Sequence, residues 1–461
     1  MVREDCSTVR QVSPSEASCS ELMLCVATIG MQRGSQERAV PPTDSRFRCT
    51  LDTMAQMIYL DHNATTPILP EVLDAMMPCL TAEWGNPSSA YKFGSKLKSV
   101  IATALEQVAE LIGAHSMDVI FTSCATEGNN AAIAAALRAN PAKRHIVTSQ
   151  VEHSSVLNYC MALEKSGTPL LGQEGAGGGR SLGQEGAGGG PYRVTYLPVD
   201  RDGLLKLADL EAAVTDQTAV VSLMWANNET AVLFPVEQVA EICRARGILY
   251  HCDAVQAAGK VPIDVRKIPV DYLSVTGHKF HAPKGIGALY VRRKAPFSPL
   301  IWGGHQERNR RGGTESVPLI VGLGKAAELA RRHLPDYEKK VRPLRDQLEE
   351  GIMGSVSNTE LNGDKFQRLA NTTNITFRGI ESEPLLILLD KEGICASSGS
   401  ACLADSDEPS HVVKAMKPTT AASRQMIRFS LGASTTGGEV GSAVTGVGGA
   451  TKALQSAVTQ P

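Results

Sequence analysis

From Ile58 onward the chain alternates short apolar runs with longer amphipathic stretches. Val119-Ile-Phe-Thr122, His145-Ile-Val-Thr148, Ala219-Val-Val-Ser-Leu-Met-Trp225, Ile248-Leu-Tyr-His-Cys252, Tyr272-Leu-Ser-Val275 and Ala288-Leu-Tyr-Val291 read as buried strands. Helical stretches intervene, such as the alanine-rich 131–137 and Val236 to Arg246, the latter stopped by Gly247 in the usual C-terminal position. Alternation of this kind predicts a mainly parallel α/β sheet. In such a sheet the ligand sits beyond the carboxyl ends of the strands, so the residues that follow each strand matter most. Near the C-terminus Val440, Val444, Val447, Leu454 and Val458 keep helical spacing, but six glycines fall between Gly437 and Gly449. Each costs about 1 kcal/mol relative to alanine, which predicts a marginal, frayed helix.

Two stretches stand outside this pattern. Residues 1–53 carry four cysteines and no periodicity, and their six arginines face seven acidic residues, so the acid-poor signature of a transit peptide is missing. No small-residue cleavage site follows the apolar run Leu22 to Met31, and 1–53 reads as a disordered extension. Leu171-Gly-Gln-Glu-Gly-Ala-Gly-Gly-Gly179 recurs as Leu182 to Gly190, a composition unable to bury enough apolar surface to fold, so 171–190 reads as a flexible insertion.

Composition narrows the function. Apolar residues make up 43% of the 461 and charged residues 20%, a globular balance with a sizeable core. A formal charge of −2 gives no electrostatic case for nucleic acid or an anionic membrane, and no apolar run has the length of a membrane span. Eleven scattered cysteines without a CxxC or a zinc-like cluster fit a reducing compartment, hence the cytoplasm, with organelle import left open by the extension.

Five strand ends then carry chemistry. Ser123-Cys-Ala-Thr-Glu-Gly-Asn-Asn130 opens the alanine-rich helix and offers backbone N–H groups to a phosphate. The others bring Glu152-His153, Ala226-Asn-Asn-Glu229, Asp253-Ala-Val-Gln256 and Thr276-Gly-His-Lys279. A pyridoxal-phosphate site needs a lysine for the Schiff base and a carboxylate for the pyridine nitrogen, tasks suited to Lys279 and Asp253. Gln256 or Asn228 could bond the ring phenolate, His153 could stack on the ring, and Thr126, Thr276 and His278 could bind the phosphate. Taken singly, Lys279 reads as a surface charge, His153 as a core histidine and Asp253 as a helix cap; their joint appearance at strand ends favours the cofactor.

Longer motifs give a family resemblance. They are Tyr59-Leu-Asp-His-Asn-Ala-Thr-Thr66, Trp84-Gly-Asn-Pro-Ser-Ser89, Trp225-Ala-Asn-Asn-Glu229, Gly277-His-Lys-Phe-His-Ala-Pro-Lys-Gly285, Gly303-Gly-His-Gln-Glu-Arg308, Asn371-Thr-Thr-Asn374 and Ala396-Ser-Ser-Gly-Ser-Ala-Cys402. Over about 58–432 the chain resembles the cysteine desulfurases of the nitrogen-fixation type, which are class V aminotransferase-like pyridoxal-phosphate enzymes. The resemblance implies fold type I, with a large mainly parallel-sheet domain over 72–334 and a smaller α+β domain from 54–71 plus 335–461. It makes Lys279 the Schiff-base lysine, Asp253 the pyridine partner, Gln256 and Asn228 the phenolate neighbours and His153 the stacking group and proton shuttle. Ala125, Thr126, Thr276 and His278 would hold the phosphate, and Thr314 would reach the phosphate of a neighbouring subunit in a homodimer. Arg428 would clamp the substrate carboxylate beside Asn228.

Cys402 separates a desulfurase from a plain aminotransferase, which needs no thiol. Its setting, Ser397 to Asp407, is small and polar, as in an exposed loop. By resemblance its thiolate takes sulfur from L-cysteine, leaves L-alanine, and passes the persulfide to an iron–sulfur scaffold or another acceptor protein. No resident metal is expected, beyond transient ligation of an iron–sulfur cluster by Cys402. Two positions depart from the family: Leu403 stands where a small hydroxyl residue is usual, and Ala433 where a basic one is common. The rival readings are a selenocysteine lyase and a non-catalytic scaffold subunit of the same fold.

Overall fold

The computed structural model describes residues 57–166, 191–399 and 409–459. The extension 1–53, the insertion 171–190 and the loop bearing Cys402 lie outside the described residues.

Strands β1 (Ile58–Tyr59), β2 (Val119–Thr122), β3 (His145–Ser149), β4 (Arg193–Leu197), β5 (Thr218–Met224), β6 (Leu249–Asp253), β7 (Tyr272–Thr276), β8 (Gly287–Val291), β9 (Thr359–Leu361), β10 (Thr372–Phe377), β11 (Ile394–Cys395) and β12 (Met426–Ser430) form three sheets. The largest has seven strands in the order β2-β8-β7-β6-β5-β3-β4, and only β8 runs against its neighbours. All residues of β2, β3, β5, β7 and β8 are buried, as expected of a sheet covered on both faces. The smaller sheets are β12-β10-β9, antiparallel, and the parallel pair β1-β11.

The principal helices are α1 (Pro70–Thr81), α2 (Leu97–Leu111), α3 (Ala125–Ala139), α4 (Ser154–Ser166), α5 (Leu207–Ala213), α6 (Val236–Ala245), α7 (Val317–Ser355), α8 (Ser382–Lys391), α9 (His411–Met416) and α10 (Gly437–Thr459). α3 lies on the large sheet, and its small side chains permit a close approach: a Cβ on Gly128 would come within 3.0 Å of Ser274 Oγ on β7. That approach fixes where the helix begins, above the carboxyl ends of the strands.

Among the described residues two of the apolar clusters meet at one helix. One surrounds the large sheet, with Val221, Leu273, Ile320 and Leu323 among its members; another joins Leu60, Val341, Leu348, Ile375, Phe429 and Val447 around β10 and β12. The 39-residue helix α7 serves both, with Gly322 and Gly324 against Met76 and Ala104 at one end and Gly351 against Val444 at the other. The division expected at 334/335 falls inside α7, at Pro335.

The C-terminal helix differs from its expectation. α10 runs unbroken through 23 residues, and one of its glycines lets it dock closely: a Cβ on Gly446 would lie 2.5 Å from Ile394 Cδ1. Val440, Ala443 and Val447 are fully buried there, and tertiary packing outweighs the propensity deficit.

Candidate active site

A cavity of about 180 Å³ opens where β2, β3, β5, β6 and β7 end. Ten of the residues expected at the site line it: Ala125, Thr126, His153, Asn228, Asp253, Gln256, Thr276, His278, Lys279 and Arg428. Asp253 and Thr276 are the last residues of their strands rather than the first beyond them. The five contributing strands are also not consecutive, since the edge strand β4 intervenes in sequence and adds nothing to the cavity.

Asp253 sits at the floor. Its Oδ2 accepts from Asn129 Nδ2 at 2.8 Å and its Oδ1 from the Val255 N–H at 3.0 Å. Asn129, one turn into α3 and fully buried, also donates to Ser155 Oγ at 2.9 Å. His153 Nδ1 accepts from the Ser155 N–H at 3.1 Å and lies 2.9 Å from Ser155 Oγ, so the ring proton is on Nε2. Burial lowers the His153 pKa, Lys279 and His411 lower it further, and Asp253 opposes them. The imidazole is therefore neutral near pH 7.

Lys279 Nζ donates to the carbonyls of Asn63 at 2.6 Å and Ala64 at 2.8 Å. Gln256 Nε2 donates to the same Asn63 carbonyl at 3.0 Å, and Asn63 Nδ2 bonds Thr372 Oγ1 at 2.9 Å. The segment after β1 thus closes one wall of the cavity. Asn227 shapes another: its Oδ1 accepts from the N–H groups of Glu229 and Thr230, and its Nδ2 donates to the Val151 carbonyl at 2.9 Å. This turn presents Asn228, whose Oδ1 is buried without a partner among the described residues.

Arg428, on β12 and 1% exposed, donates from Nη2 to Asp61 Oδ1 at 2.6 Å and from Nη1 to the Asn228 carbonyl at 3.0 Å. Asp61 Oδ2 accepts from Ser397 Oγ at 2.7 Å, and Arg428 Nε is buried without a partner among the described residues. The first turn of the 15-residue helix α3 has no side-chain cap, leaving its N–H groups and dipole directed at the cavity. Glu127 in that turn is drawn off to the Ser123 N–H and Arg311, at 2.8 and 2.9 Å. His278, bonded to Thr65 Oγ1 at 3.3 Å, is lowered to about 4 by burial and by Lys279, and stays neutral.

Thr314 is exposed and does not line the cavity of its own chain. Cys402 lies outside the described residues. Asn63, Asn129, Ser155, Asp61 and Lys260 were not singled out in sequence. Spacing offered one clue, since Asn129 stands four residues after Ala125 and Lys260 four after Gln256. Cys124, half-buried at the start of α3, also faces the cavity.

Glu152 is buried beneath the site, accepting at Oε1 from Ser149 Oγ at 2.7 Å and from the Met224 N–H at 3.1 Å. Burial, with a contribution from Asp253, raises it from 4.5 to about 8. A raised carboxyl binds its proton more tightly in the folded state, so stability is lost as pH rises from about 4.5 to about 8. In Glu152→Gln the fall in Tm across that window should be smaller than in the wild type, measured by thermal unfolding at stepped pH.

An amine, a buried carboxylate, a neutral imidazole, unmet amide and guanidinium atoms and an uncapped helix N-terminus suit the aldehyde, ring nitrogen, ring face, ring oxygen and phosphate of pyridoxal phosphate. Fold and site together define a pyridoxal-phosphate-dependent enzyme of the aminotransferase-like class. The chain belongs to the class-V aminotransferase family, whose model matches residues 58–171 and 185–442. It is 52% identical over 384 residues to "Cysteine desulfurase 2" of Trichormus variabilis, covering 83% of this chain and 90% of that protein. Against "Cysteine desulfurase NifS" of Azotobacter vinelandii the identity is 45% at the same coverages. Among solved structures, a NifS-like protein aligns with a TM-score of 0.76 and 34% identity over 87% of this chain and 99% of its own. "SspA in complex with cysteine" aligns at 0.67 and 34% over 81% and 98%.

Proposed function

We propose that this chain removes sulfur from L-cysteine, leaving L-alanine, with Lys279, Arg428 and Cys402 as the acting groups. It is a cysteine desulfurase, a reading supported by the relatives of that name and by the convergence of Lys279, Asp253, His153 and Arg428 on one cavity.

Pyridoxal phosphate, when bound, supplies the sink for the electron pairs released beside the substrate α-carbon. Lys279 would hold the cofactor through its ε-amine, and the same amine is placed to move the substrate α-proton. Asp253, oriented by Asn129, would accept the N–H of the pyridine ring. Ala125, Thr126, Thr276 and His278 would hold the phosphate, and Gln256 and Asn228 would face the ring oxygen. Arg428 takes the substrate carboxylate, a task suited to a planar guanidinium with a spare Nε. The Cys402 thiolate attacks the substrate sulfur: an S–S bond forms, the C–S bond breaks, and the electron pair passes to the β-carbon, which gains a proton to become a methyl group. His153, neutral and protonated at Nε2, is suited to move protons in this step.

A homodimer fits the exposure of Thr314 and of Trp84, Tyr91 and Trp302, at 72, 60 and 68%. The persulfide then passes to an iron–sulfur scaffold or another acceptor protein. No helix among the described residues is long and apolar enough to cross a membrane. Purified protein with pyridoxal phosphate, L-cysteine and a thiol reductant should form alanine and sulfide in equal amounts. Alanine formed from selenocysteine and not from cysteine would overturn the assignment in favour of a lyase for selenocysteine.

A further inference from the structure

Lys260 is a buried lysine that the chemistry above does not use. It is 7% exposed and stands four residues after Gln256, in the turn that follows β6. Its Nζ donates to Gln256 Oε1 at 2.8 Å and lies 3.5 Å from Asn63 Oδ1. Among the described residues no carboxylate forms an ion pair with it, and the charges that act on it are the cations Lys279 and Arg428. Burial and these two cations lower it to about 7. An ammonium without a carboxylate is costly to bury, so its position is justified by what it donates to.

The two ends of a glutamine amide have the same shape and opposite hydrogen-bonding character. In its ammonium form Lys260 has donors only, so the Gln256 oxygen turns toward it and the amide nitrogen is left for the cavity wall. It donates there to the Asn63 carbonyl at 3.0 Å, the same oxygen that receives Lys279 Nζ. Without Lys260 the amide keeps only the bond to the Asn63 carbonyl to fix which of its ends faces the cavity, and its oxygen loses its donor.

We propose that Lys260 is a positioning residue that locks the Gln256 amide so that an N–H donor, rather than an oxygen, faces the phenolate oxygen of pyridoxal phosphate. This rests on the reading of Gln256 as the phenolate neighbour. An N–H donor and a nearby cation both favour the phenolate anion, and both disfavour retention of the proton it shares with the nitrogen that Lys279 contributes.

The test is a pH titration of the visible absorption band of the pyridoxal-phosphate-loaded enzyme. Lys260→Met keeps the side-chain length and removes the charge and the donors. Its band midpoint should rise by at least about half a pH unit relative to wild type. Lys260→Leu is the second variant should the methionine form not fold, and the same rise is expected. Lys260→Arg, which keeps the donors, should restore most of the wild-type value. Gln256→Leu should also raise the midpoint, and adding Lys260→Met to it should then move it by less than in the wild type. An altered Tm with an unmoved midpoint would show a structural role only and overturn the proposal. A shift undiminished in the Gln256→Leu background would overturn it too, since Lys260 would then act by another route. An unmoved midpoint in Gln256→Leu alone would remove both the proposal and the phenolate role of Gln256, whereas a wild type without a visible band would contradict the cofactor assignment itself.

Discussion

Lys279→Ala should abolish alanine formation, with a loss of at least about 10³-fold in kcat, because one substitution removes both the covalent anchor and the group that moves the α-proton. The fold should survive. Lys279 leaves behind the carbonyls of Asn63 and Ala64, and Gln256 still donates to the first of these, so the stability cost is about 1–2 kcal/mol. The variant should still bind pyridoxal phosphate, since Asp253 and the α3 N-terminus are untouched, but its absorption spectrum should be that of the free aldehyde. Wild-type rates in this variant would remove Lys279 from the mechanism.

Cys402→Ser should separate the two halves of the reaction. The groups assigned to the cofactor are unchanged in this variant, so the visible band should match the wild type and still respond to added cysteine. A serine hydroxyl is no substitute for a thiolate attacking sulfur, so sulfide and alanine should fall by at least about 10³-fold. An enzyme that merely transaminates would keep consuming cysteine at an unchanged rate.

The large sheet was legible in sequence because its strands are buried on both faces and read as continuous apolar runs. Six of its seven strands follow from that signal to within two residues at either end. The exception, Arg193-Val-Thr-Tyr-Leu197, lies at the sheet edge with Arg193 exposed, and its mixed polarity gives no such run. The second sheet was illegible for a different reason. Thr372 to Phe377 is mostly polar yet wholly buried, because Asn362 bonds Asn374 and Thr376, Thr373 bonds Glu349, and Asn374 reaches the Glu229 carbonyl. Partners supplied from distant segments cannot be read from local pattern.

The site shows the same divide. The cavity-lining residues at or just beyond the strand ends of the large sheet follow from position, whereas Arg428, in the middle of β12, follows only from the family resemblance. Those that orient them do not: Asn129 and Ser155 act through Asp253 and His153, and Asn63 bonds Gln256 and Lys279 from about two hundred residues away. A lone asparagine or serine carries no chemical signature until its partner is in place.

Cys402 bears the central claim, and the cavity holds a competing thiol, Cys124 at the start of α3. The direct measurement is to mix the pyridoxal-phosphate-loaded enzyme with about one equivalent of L-cysteine, alkylate, digest and locate the added sulfur atom by peptide mass spectrometry. The account predicts one extra sulfur on the peptide bearing Cys402, matched by alanine released. Sulfur found on the Cys124 peptide, or alanine released with no sulfur on Cys402, would contradict it.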